Sequence, residues 1–331
     1  MDTLLPLLAI DFLGKPAWVW LVFIGVVVTL LAFDLGVLHK DDHEIGVRES
    51  LLLSAGYISV ALMFGAWVWW YLGVQSGMAY YTGFMIEKSL SMDNVFVIAL
   101  IFTFFAIPRQ YQHRVLFWGI LGVIVLRAVM IGLGAVMVQN ASWVLYLFGA
   151  FLVFTGVKML RPSDHVYNLA DSGMLKFVRR HMRVTDQYHG NRFFVRLKDA
   201  NTGRMARFAT PLFLALLMVE AADLVFAVDS VPAIFAITSD PYIVYTSNIF
   251  AILGLRALYF ALAAIVHRFY ALKYALALVL VFIGGKIFWN QIVEKIDPTI
   301  SLGVTLALLA GGVAYSLLRP RPAPQSAAAA S

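Results

Sequence analysis

Nine long apolar runs divide the sequence, and they restrict its fold more than any other feature. They lie at about 17–38, 50–73, 80–106, 114–138, 141–160, 208–237, 244–266, 272–291 and 299–318. Most of them reach the roughly 20 residues that an α-helix needs to cross about 30 Å of hydrocarbon. Only 13% of the residues are charged, against about 25% in a soluble domain. We therefore predict an all-α, polytopic membrane protein with about nine transmembrane helices.

The distribution of positive charge predicts how these helices are oriented. The first run lacks a basic leader and a small-residue cleavage site, so we expect an anchor helix. Most of the 25 lysine and arginine residues lie in alternate hydrophilic segments, above all in the loop 161–207, whereas Lys15 and Lys295 fall on the opposite side. The positive-inside rule then places the N-terminus outside and the C-terminus and loop 161–207 in the cytoplasm. Because a bilayer explains the basic loop, we expect no nucleic-acid partner.

An internal repeat relates the third to fifth runs to the sixth to eighth. Residues 152–158 (LVFTGVK) match residues 280–286 (LVFIGGK), and the LRA triplet at 126–128 recurs at 255–257. Each unit contains three helices, an odd number, so the second unit enters the membrane from the opposite side. The sequence thus predicts an inverted repeat of three helices each, an arrangement found in many secondary transporters.

The repeat also predicts the organisation of the chain. We expect a two-helix region at 1–79, repeats at 80–160 and 208–291, a cytoplasmic loop at 161–207, a ninth helix at 292–318 and a disordered tail at 319–331. Alternating apolar residues from Phe193 predict a β-hairpin in the loop. An ordinary solvated loop is favoured there over a metal-capture site made by His165, His181, Asp186 and His189.

Carboxylates inside two of the apolar runs are the main functional signal. The third run carries Glu87 and Asp93, and the sixth carries Glu220, Asp223 and Asp229. A charge at bilayer depth costs roughly 2.5–3.5 kcal/mol on insertion scales, so it usually marks an ion path or a binding site. These two runs open the two repeat units. Their acids are therefore expected to face each other across the pseudo-twofold axis.

The spacing of the polar residues indicates which of them share a helix face. Glu87, Ser91 and Asn94 form one stripe of a regular helix, and Glu220 lies on the same face as the acid three residues later. Pro232 removes a backbone donor and predicts a kink or break in the sixth run near residue 229. Carbonyl groups freed by such a break would be further cation ligands.

The polar groups inside the runs suit a hard cation. All seven histidines fall in segments assigned to the cytoplasm, and the chain has no cysteine. Oxygen ligands favour magnesium, calcium or manganese over zinc and copper, and the sequence leaves the choice between manganese and calcium open. The candidate ligands are Glu87, Asp93, Asn94, Glu220, Asp223, Asp229 and Ser230.

Three cations inside the runs are predicted counter-charges. Lys88, Arg127 and Arg256 would hold the carboxylates ionised and the site closed when no metal is bound. A purely structural alternative stays open for Glu87, which would then simply neutralise Lys88 or Arg127. Lys286 lies near a helix end, where we expect its side chain to snorkel to the interface.

Several motifs resemble the TerC family of integral membrane proteins. They are EKSLSMDNVF at 87–96, FFVR at 193–196, FAVDSVPAIF at 226–235, TSN at 246–248 and LRA at 255–257. The resemblance covers about 17–318 and is closest to the longer bacterial members related to manganese exporters of the inner membrane. It implies efflux of manganese(II). It also adds Asp34, at a familiar first-helix position, as a weaker candidate ligand.

These observations predict a secondary transporter that exports manganese(II) from the bacterial cytoplasm by alternating access. Export of a divalent ion against a negative-inside potential costs about 4.6 kcal/mol per 100 mV. The sequence has no P-loop, so inward proton or sodium flow is expected to drive it. We expect no enzymatic activity and no permanent cofactor. The expected partners are a divalent metal ion and the lipid bilayer, with a homo-oligomer left open. The alternative is a membrane-protein biogenesis or interaction protein with structural buried charges.

Overall fold

The computed structural model describes residues 11–33, 46–141, 143–160, 173–198, 204–262, 271–293 and 296–319. Within these ranges the chain forms ten helices and two small antiparallel hairpins. The helices are α1 (Ala17–Phe33), α2 (Val47–Leu72), α3 (Val74–Phe104), α4 (Arg109–Asn140), α5 (Val144–Leu160), α6 (Gly173–His181), α7 (Pro211–Phe235), α8 (Pro241–Leu262), α9 (Leu272–Ile292) and α10 (Pro298–Leu318). The strands are β1 (Asp11–Phe12), β2 (Lys15–Pro16), β3 (Phe194–Lys198) and β4 (Met205–Ala209).

Each of the nine apolar runs falls on one of these helices, and the prediction of an all-α membrane protein is confirmed. By length and composition, five described helices can cross a membrane. They are Val47–Leu72, Arg109–Asn140, Pro211–Phe235, Leu272–Asn290 and Pro298–Leu318. Helices α1, α5 and α8 are also apolar, but their apolar stretches are shorter than those of the five candidate spans. The count of nine membrane crossings therefore stays a prediction.

Proline sets the start of three helices in the second half of the chain. Pro211, Pro241 and Pro298 are the first residues of α7, α8 and α10. Proline suits this position because its ring fixes a helical φ and its missing N–H would be unpaired there anyway. Asp297 caps α10, since its Oδ1 accepts a hydrogen bond from the backbone N of Thr299 at 2.7 Å. The hydrogen bonds from Thr299 hold the pKa of Asp297 below its usual value.

Helices α2 and α3 form a tight hairpin around a single glycine. Gly73 has φ +93°, a conformation that side chains disfavour, and it is the only residue between the two helices. The Tyr80 hydroxyl donates to the carbonyl of Ala61 at 3.0 Å. A Cβ at Gly77 would lie 2.6 Å from the Cβ of Trp69, so the backbones approach closely.

Helices α5 and α9 pack through a reciprocal glycine contact. A Cβ on Gly156 would lie 2.7 Å from the carbonyl oxygen of Ala277, and a Cβ on Gly284 would lie 2.7 Å from that of Gly149. Gly156 and Gly284 occupy the same place in the two matching heptapeptides, and Gly149 and Ala277 each precede them by seven residues. The contact of Gly156 with Ala277 and the contact of Gly284 with Gly149 are therefore the same contact with the two helices exchanged. A twofold interface has this form.

Helix α7 is continuous, so the predicted break near residue 229 is wrong. The helix runs through 226–231 and includes Pro232 in its interior. Pro232 lies in the last turn of the helix, which ends at Phe235. A missing N–H there costs one hydrogen bond to the carbonyl of Val228 without separating two helical segments.

The segment between α5 and α7 contains a docked unit. Strands β3 and β4 pair antiparallel, which confirms the predicted hairpin. The Tyr188 hydroxyl donates to the carbonyl of Phe105 at the end of α3, and partial burial raises the pKa of Tyr188. Leu175 and Val178 of α6 are buried against residues of α3, α4 and α7. The expectation of an ordinary solvated loop is wrong for this part, because apolar side chains hold it on the bundle.

One buried lysine also differs from expectation. Lys286 does not snorkel; its Nζ donates to the Ser301 hydroxyl at 2.5 Å, and only 8% of the residue is exposed. The adjacent α10 supplies this acceptor, and no sequence pattern predicts that packing. The predicted disordered tail from 320 onwards and His165 lie outside the described residues. The proposed division into domains stays a prediction.

Candidate ion-binding site

Four helices enclose the candidate site. Helices α3 and α7 pack against each other, α4 packs on α7 and α8, and α8 packs on α3. The predicted stripe on α3 faces this centre, since Glu87, Ser91 and Asn94 are all buried. A helical repeat of 3.6 residues places these positions on one face, and that face of α3 is buried against the other helices.

Arg127 of α4 lies at the middle of the site and is fully buried. Its Nη2 lies 3.0 Å from Oε1 of Glu87 on α3. Its Nε and Nη2 donate to the two carboxylate oxygens of Asp223 on α7, at 3.3 and 3.4 Å. Its Nη1 donates to the Ser230 hydroxyl at 2.6 Å. The planar guanidinium therefore joins two carboxylates that come from different helices, α3 and α7.

Each of these carboxylates also accepts a hydrogen bond from an amide. Asn248 Nδ2 donates to Oε2 of Glu87 at 3.0 Å, and Asn94 Nδ2 lies 3.5 Å from Oδ1 of Asp223. Within the described part of the chain, the carbonyl oxygens of both amides are buried without a hydrogen-bond partner, as is the hydroxyl of Ser91. Buried acceptors without donors are uncommon in folded proteins, and a bound cation is one explanation for them.

Glu220 lies beside this network without joining it. Its carboxylate occupies space left by Gly122 of α4, where a Cβ would overlap the carboxylate oxygens. Its Oε2 is buried and makes no hydrogen bond to any described residue. Glu220 and Asp223 share a helix face as predicted, but only Asp223 reaches Arg127.

Arg127 is the partner of Glu87, so the choice between two counter-charges is resolved. Lys88 instead donates through Nζ to the carbonyl of Ala251 on α8 at 3.3 Å. It lies against Gly254, where an added Cβ would be 2.8 Å from Nζ. The glycine makes room for the ammonium between α3 and α8.

Four predicted site residues lie partly or wholly outside the described residues. The side chains of Asp93, Asp229 and Arg256 lie outside the described residues, although their backbones belong to α3, α7 and α8. Asp34 lies outside the described residues altogether. In the part of the chain that is described, no group of three or more His, Asp or Glu side chains is arranged to hold a metal. The full set of predicted ligands stays a prediction.

A small cavity adjoins the network on the side of Asn94 and Asp223. Its volume is about 40 Å³, which exceeds the roughly 10–15 Å³ that one water needs. Apolar residues of the four helices form most of its wall, among them Ile98, Leu116 and Leu255. The cavity gives the Asp223 carboxylate a neighbouring space into which an ion or water fits.

Sequence reasoning missed Asn248 as a site residue. It is fully buried on α8 and contacts Glu87 directly. The available signal was the polar triplet at 246–248 in an otherwise apolar helix. Gly122 was also missed, because only the structure shows that α4 passes next to the carboxylate of Glu220.

Long apolar helices around a buried ion-pair network define an integral α-helical membrane protein. Residues 72–323 match a family described as the Integral membrane protein TerC family. The chain therefore belongs to the TerC family, as the sequence motifs indicated.

Curated relatives match nearly the whole chain. An "Uncharacterized membrane protein" of Rickettsia bellii (strain RML369-C) is 48% identical over 91% of this chain and 97% of the relative. The "Uncharacterized membrane protein STKORF319" of Myxococcus xanthus is 47% identical over 95% of this chain and 96% of the relative. The "Putative membrane-bound redox modulator Alx" of Escherichia coli (strain K12) is 44% identical over 89% and 92%. No solved structure matches.

Proposed function

We propose that this protein is a secondary transporter that exports manganese(II) from the bacterial cytoplasm across the inner membrane by alternating access. The ion binds at the carboxylates of α3 and α7, and inward proton or sodium flow supplies the energy. The N-terminus is external, and the loop and C-terminus are cytoplasmic, in agreement with the distribution of lysine and arginine.

The bridge made by Arg127 is the observation that carries this proposal. Glu87 and Asp223 are 1% and 8% exposed, deep inside apolar helices. Buried charges that serve only stability are easily replaced by apolar packing. Ionisable groups that face the interior of a helix bundle usually mark an ion pathway. Two acids, their amide partners and a shared counter-charge supply the oxygen ligands and the charge balance that cation transport needs.

The packing supports an inverted repeat within nine membrane crossings. In the two proposed repeats, α3 corresponds to α7 and α4 corresponds to α8. Helix α3 packs on α8, and α7 packs on α4 in the same way. The glycine contact between α5 and α9 has the same reciprocal form. Transporters with inverted repeats place their sites at the interface of the two units. Glu87 and Asp223 meet at that interface.

The chemistry of the site supports a hard divalent cation. Apart from the guanidinium of Arg127, its described polar groups supply carboxylate, amide and hydroxyl oxygens, which suit manganese, magnesium and calcium. The choice of manganese follows from the resemblance of the motifs to manganese exporters. The name of the Escherichia coli relative refers instead to redox modulation. This chain has no cysteine, so its own side chains cannot carry out thiol–disulfide exchange.

Manganese flux in proteoliposomes of defined orientation tests the proposal. We expect Asp223→Asn to lower the flux at least about tenfold, since even groups that only orient a metal ligand contribute 10–100-fold. Asp297→Asn is the matched control, because it makes the same change at the exposed cap of α10. Collapsing a proton or a sodium gradient in turn identifies the coupling ion.

Two outcomes would contradict the proposal. Equal loss of flux in both variants would show that the acid-to-amide change acts through folding. No flux from correctly folded wild-type protein would favour the alternative, a biogenesis or interaction protein with structural buried charges. Purification of the full-length protein with its bound partners would then become the informative experiment.

A further inference from the structure

All three guanidinium nitrogens of Arg127 contact side chains of the site. Nε and Nη2 serve Asp223, Nη2 also serves Glu87, and Nη1 serves Ser230. The side chain is fully buried, so bulk solvent does not reach these contacts. Of the described side chains, Arg127 is therefore the cation that pairs with both acids, and its single charge balances one of their two negative charges.

A divalent ion and Arg127 compete for the same oxygens. An ion bound to carboxylate oxygens lies roughly 2.0–2.6 Å from them. Arg127 Nη2 already lies 3.0 Å from Oε1 of Glu87 and 3.4 Å from Oδ1 of Asp223. An ion between these oxygens would overlap the guanidinium and repel its charge.

Other oxygens are ready to complete the ligand set once Arg127 has moved. The amide oxygens of Asn94 and Asn248 are buried and accept nothing from any residue that the structure describes. Each of these amides already donates to one of the two acids, which holds its oxygen close to the carboxylate. The guanidinium keeps Ser230 as a separate acceptor.

We propose that Arg127 is a tethered cation that takes the place of the transported ion between Glu87 and Asp223 in the metal-free carrier. The guanidinium and the metal bind alternately. The metal-free carrier can reorient because Arg127 offsets one of the two negative charges and the inward-moving proton or sodium ion offsets the other. The loaded carrier can reorient because the divalent metal offsets both. This inference rests on the proposed function.

If Arg127 and the metal bind alternately, loss of Arg127 should affect net export and manganese exchange differently. Loss of a purely structural arginine would affect both equally. Exchange of manganese for manganese needs only the loaded carrier to reorient, whereas net export also needs the return of the metal-free carrier. Without the guanidinium, the return leaves two buried acids unpaired. Net export should then fail while exchange continues.

The experiment compares net manganese flux with exchange of isotopic manganese in vesicles that contain full-length wild-type protein or Arg127→Gln. We expect the ratio of exchange to net flux to rise at least about fivefold, the lower range of coupling between competing sites. Purified Arg127→Gln should also bind manganese at least about fivefold more tightly, because the competitor is gone. Arg127→Lys keeps the charge and is expected to give an intermediate ratio.

Lys286→Gln is the matched control, since it removes another buried cation that contacts Ser301 outside the network. Its ratio should equal that of the wild type. Equal loss of exchange and net flux in Arg127→Gln, or weaker manganese binding by it, would overturn the inference while wild-type transport stands. If Arg127→Gln does not fold, equal loss of exchange and net flux in Arg127→Lys would overturn it. Wild-type protein that neither binds nor carries manganese would refute the proposed function, and the inference with it.

Discussion

At the scale of single residues, the site depends on a shared counter-charge. Removing one partner of a buried ion pair costs about 3–5 kcal/mol, because the remaining charge stays out of water. Arg127 is common to Glu87 and Asp223, so it supports two acids at once. Asn248 and Asn94 add one hydrogen bond to each acid. The same residues thus hold two charged acids in hydrogen-bonded contacts inside the helix bundle.

The small size of Gly122 is expected to set the position of Glu220. We predict that Gly122→Ala lowers manganese transport about tenfold or more, because displacing a functional group by an ångström costs that much. Melting temperature should change little, since the carboxylate that would clash ends a side chain that can rotate. Flux and thermal unfolding of the same preparation measure both effects.

Gly132→Ala on the same helix is the control, because a Cβ there meets nothing within 4 Å. We expect it to transport like the wild type. Wild-type transport by Gly122→Ala would show that the position of Glu220 does not matter.

Sequence reasoning could predict which residues were candidates at this scale, but only part of how they pair. The acids stood out because they interrupt apolar runs. Whether Glu87 pairs with Lys88 or Arg127 depends on how α3 is rotated against α4 and α8. The neighbouring Lys88 is adjacent in sequence, yet a helix points successive side chains about 100° apart. Arg127 therefore reaches Glu87 from another helix.

At the scale of helices, the apolar runs predicted the elements well and their ends less well. The run 80–106 missed the first turn of α3, which begins at Val74 directly after Gly73. The run 114–138 missed the polar first turn of α4 from Arg109. Helix α6 was missed because it is short and amphipathic. Pro232 was given too much weight, since a proline so close to a helix end breaks little.

The contact between α5 and α9 makes a specific prediction about stability. Gly284→Ala should destabilise the protein by about 1–3 kcal/mol, the usual cost of overpacking, because the new Cβ would meet backbone atoms of Gly149 and Val153. Gly285→Ala should not, since a Cβ there meets nothing within 4 Å. Thermal unfolding in detergent compares the two adjacent substitutions. Equal melting temperatures would mean that the helices separate easily to admit the methyl group.

At the scale of the whole molecule, the unit formed by α6 and the β3–β4 hairpin is attached to the helices that carry the candidate site. Leu175 and Val178 pack with residues at the ends of α3, α4 and α7, and the Tyr188 hydroxyl reaches Phe105. A movement of α3 relative to α7 would therefore also change the contacts of α6 and Tyr188 with the helix bundle. The hairpin itself followed from its alternating pattern, but its docking depends on residues that are distant in sequence.

The lack of cysteine makes the predicted orientation easy to test. Asp11→Cys and Met205→Cys each introduce a single thiol at an exposed position. In spheroplasts, a membrane-impermeant maleimide should label Asp11→Cys directly, and Met205→Cys only after permeabilisation, because β4 is expected in the cytoplasm. Labelling in the reverse order would invert the topology. Comparison of the two variants in lysed cells controls for intrinsic reactivity.

The bridge between Arg127 and the two acids also sets the net charge that this cluster would present to a membrane potential. Glu87, Asp223 and Arg127 together carry a charge of −1, whereas the two acids alone would carry −2. Moving one elementary charge across the membrane potential involves about 2.3 kcal/mol per 100 mV. Any step that moves this cluster through the electric field therefore does half the electrical work that the bare acids would require.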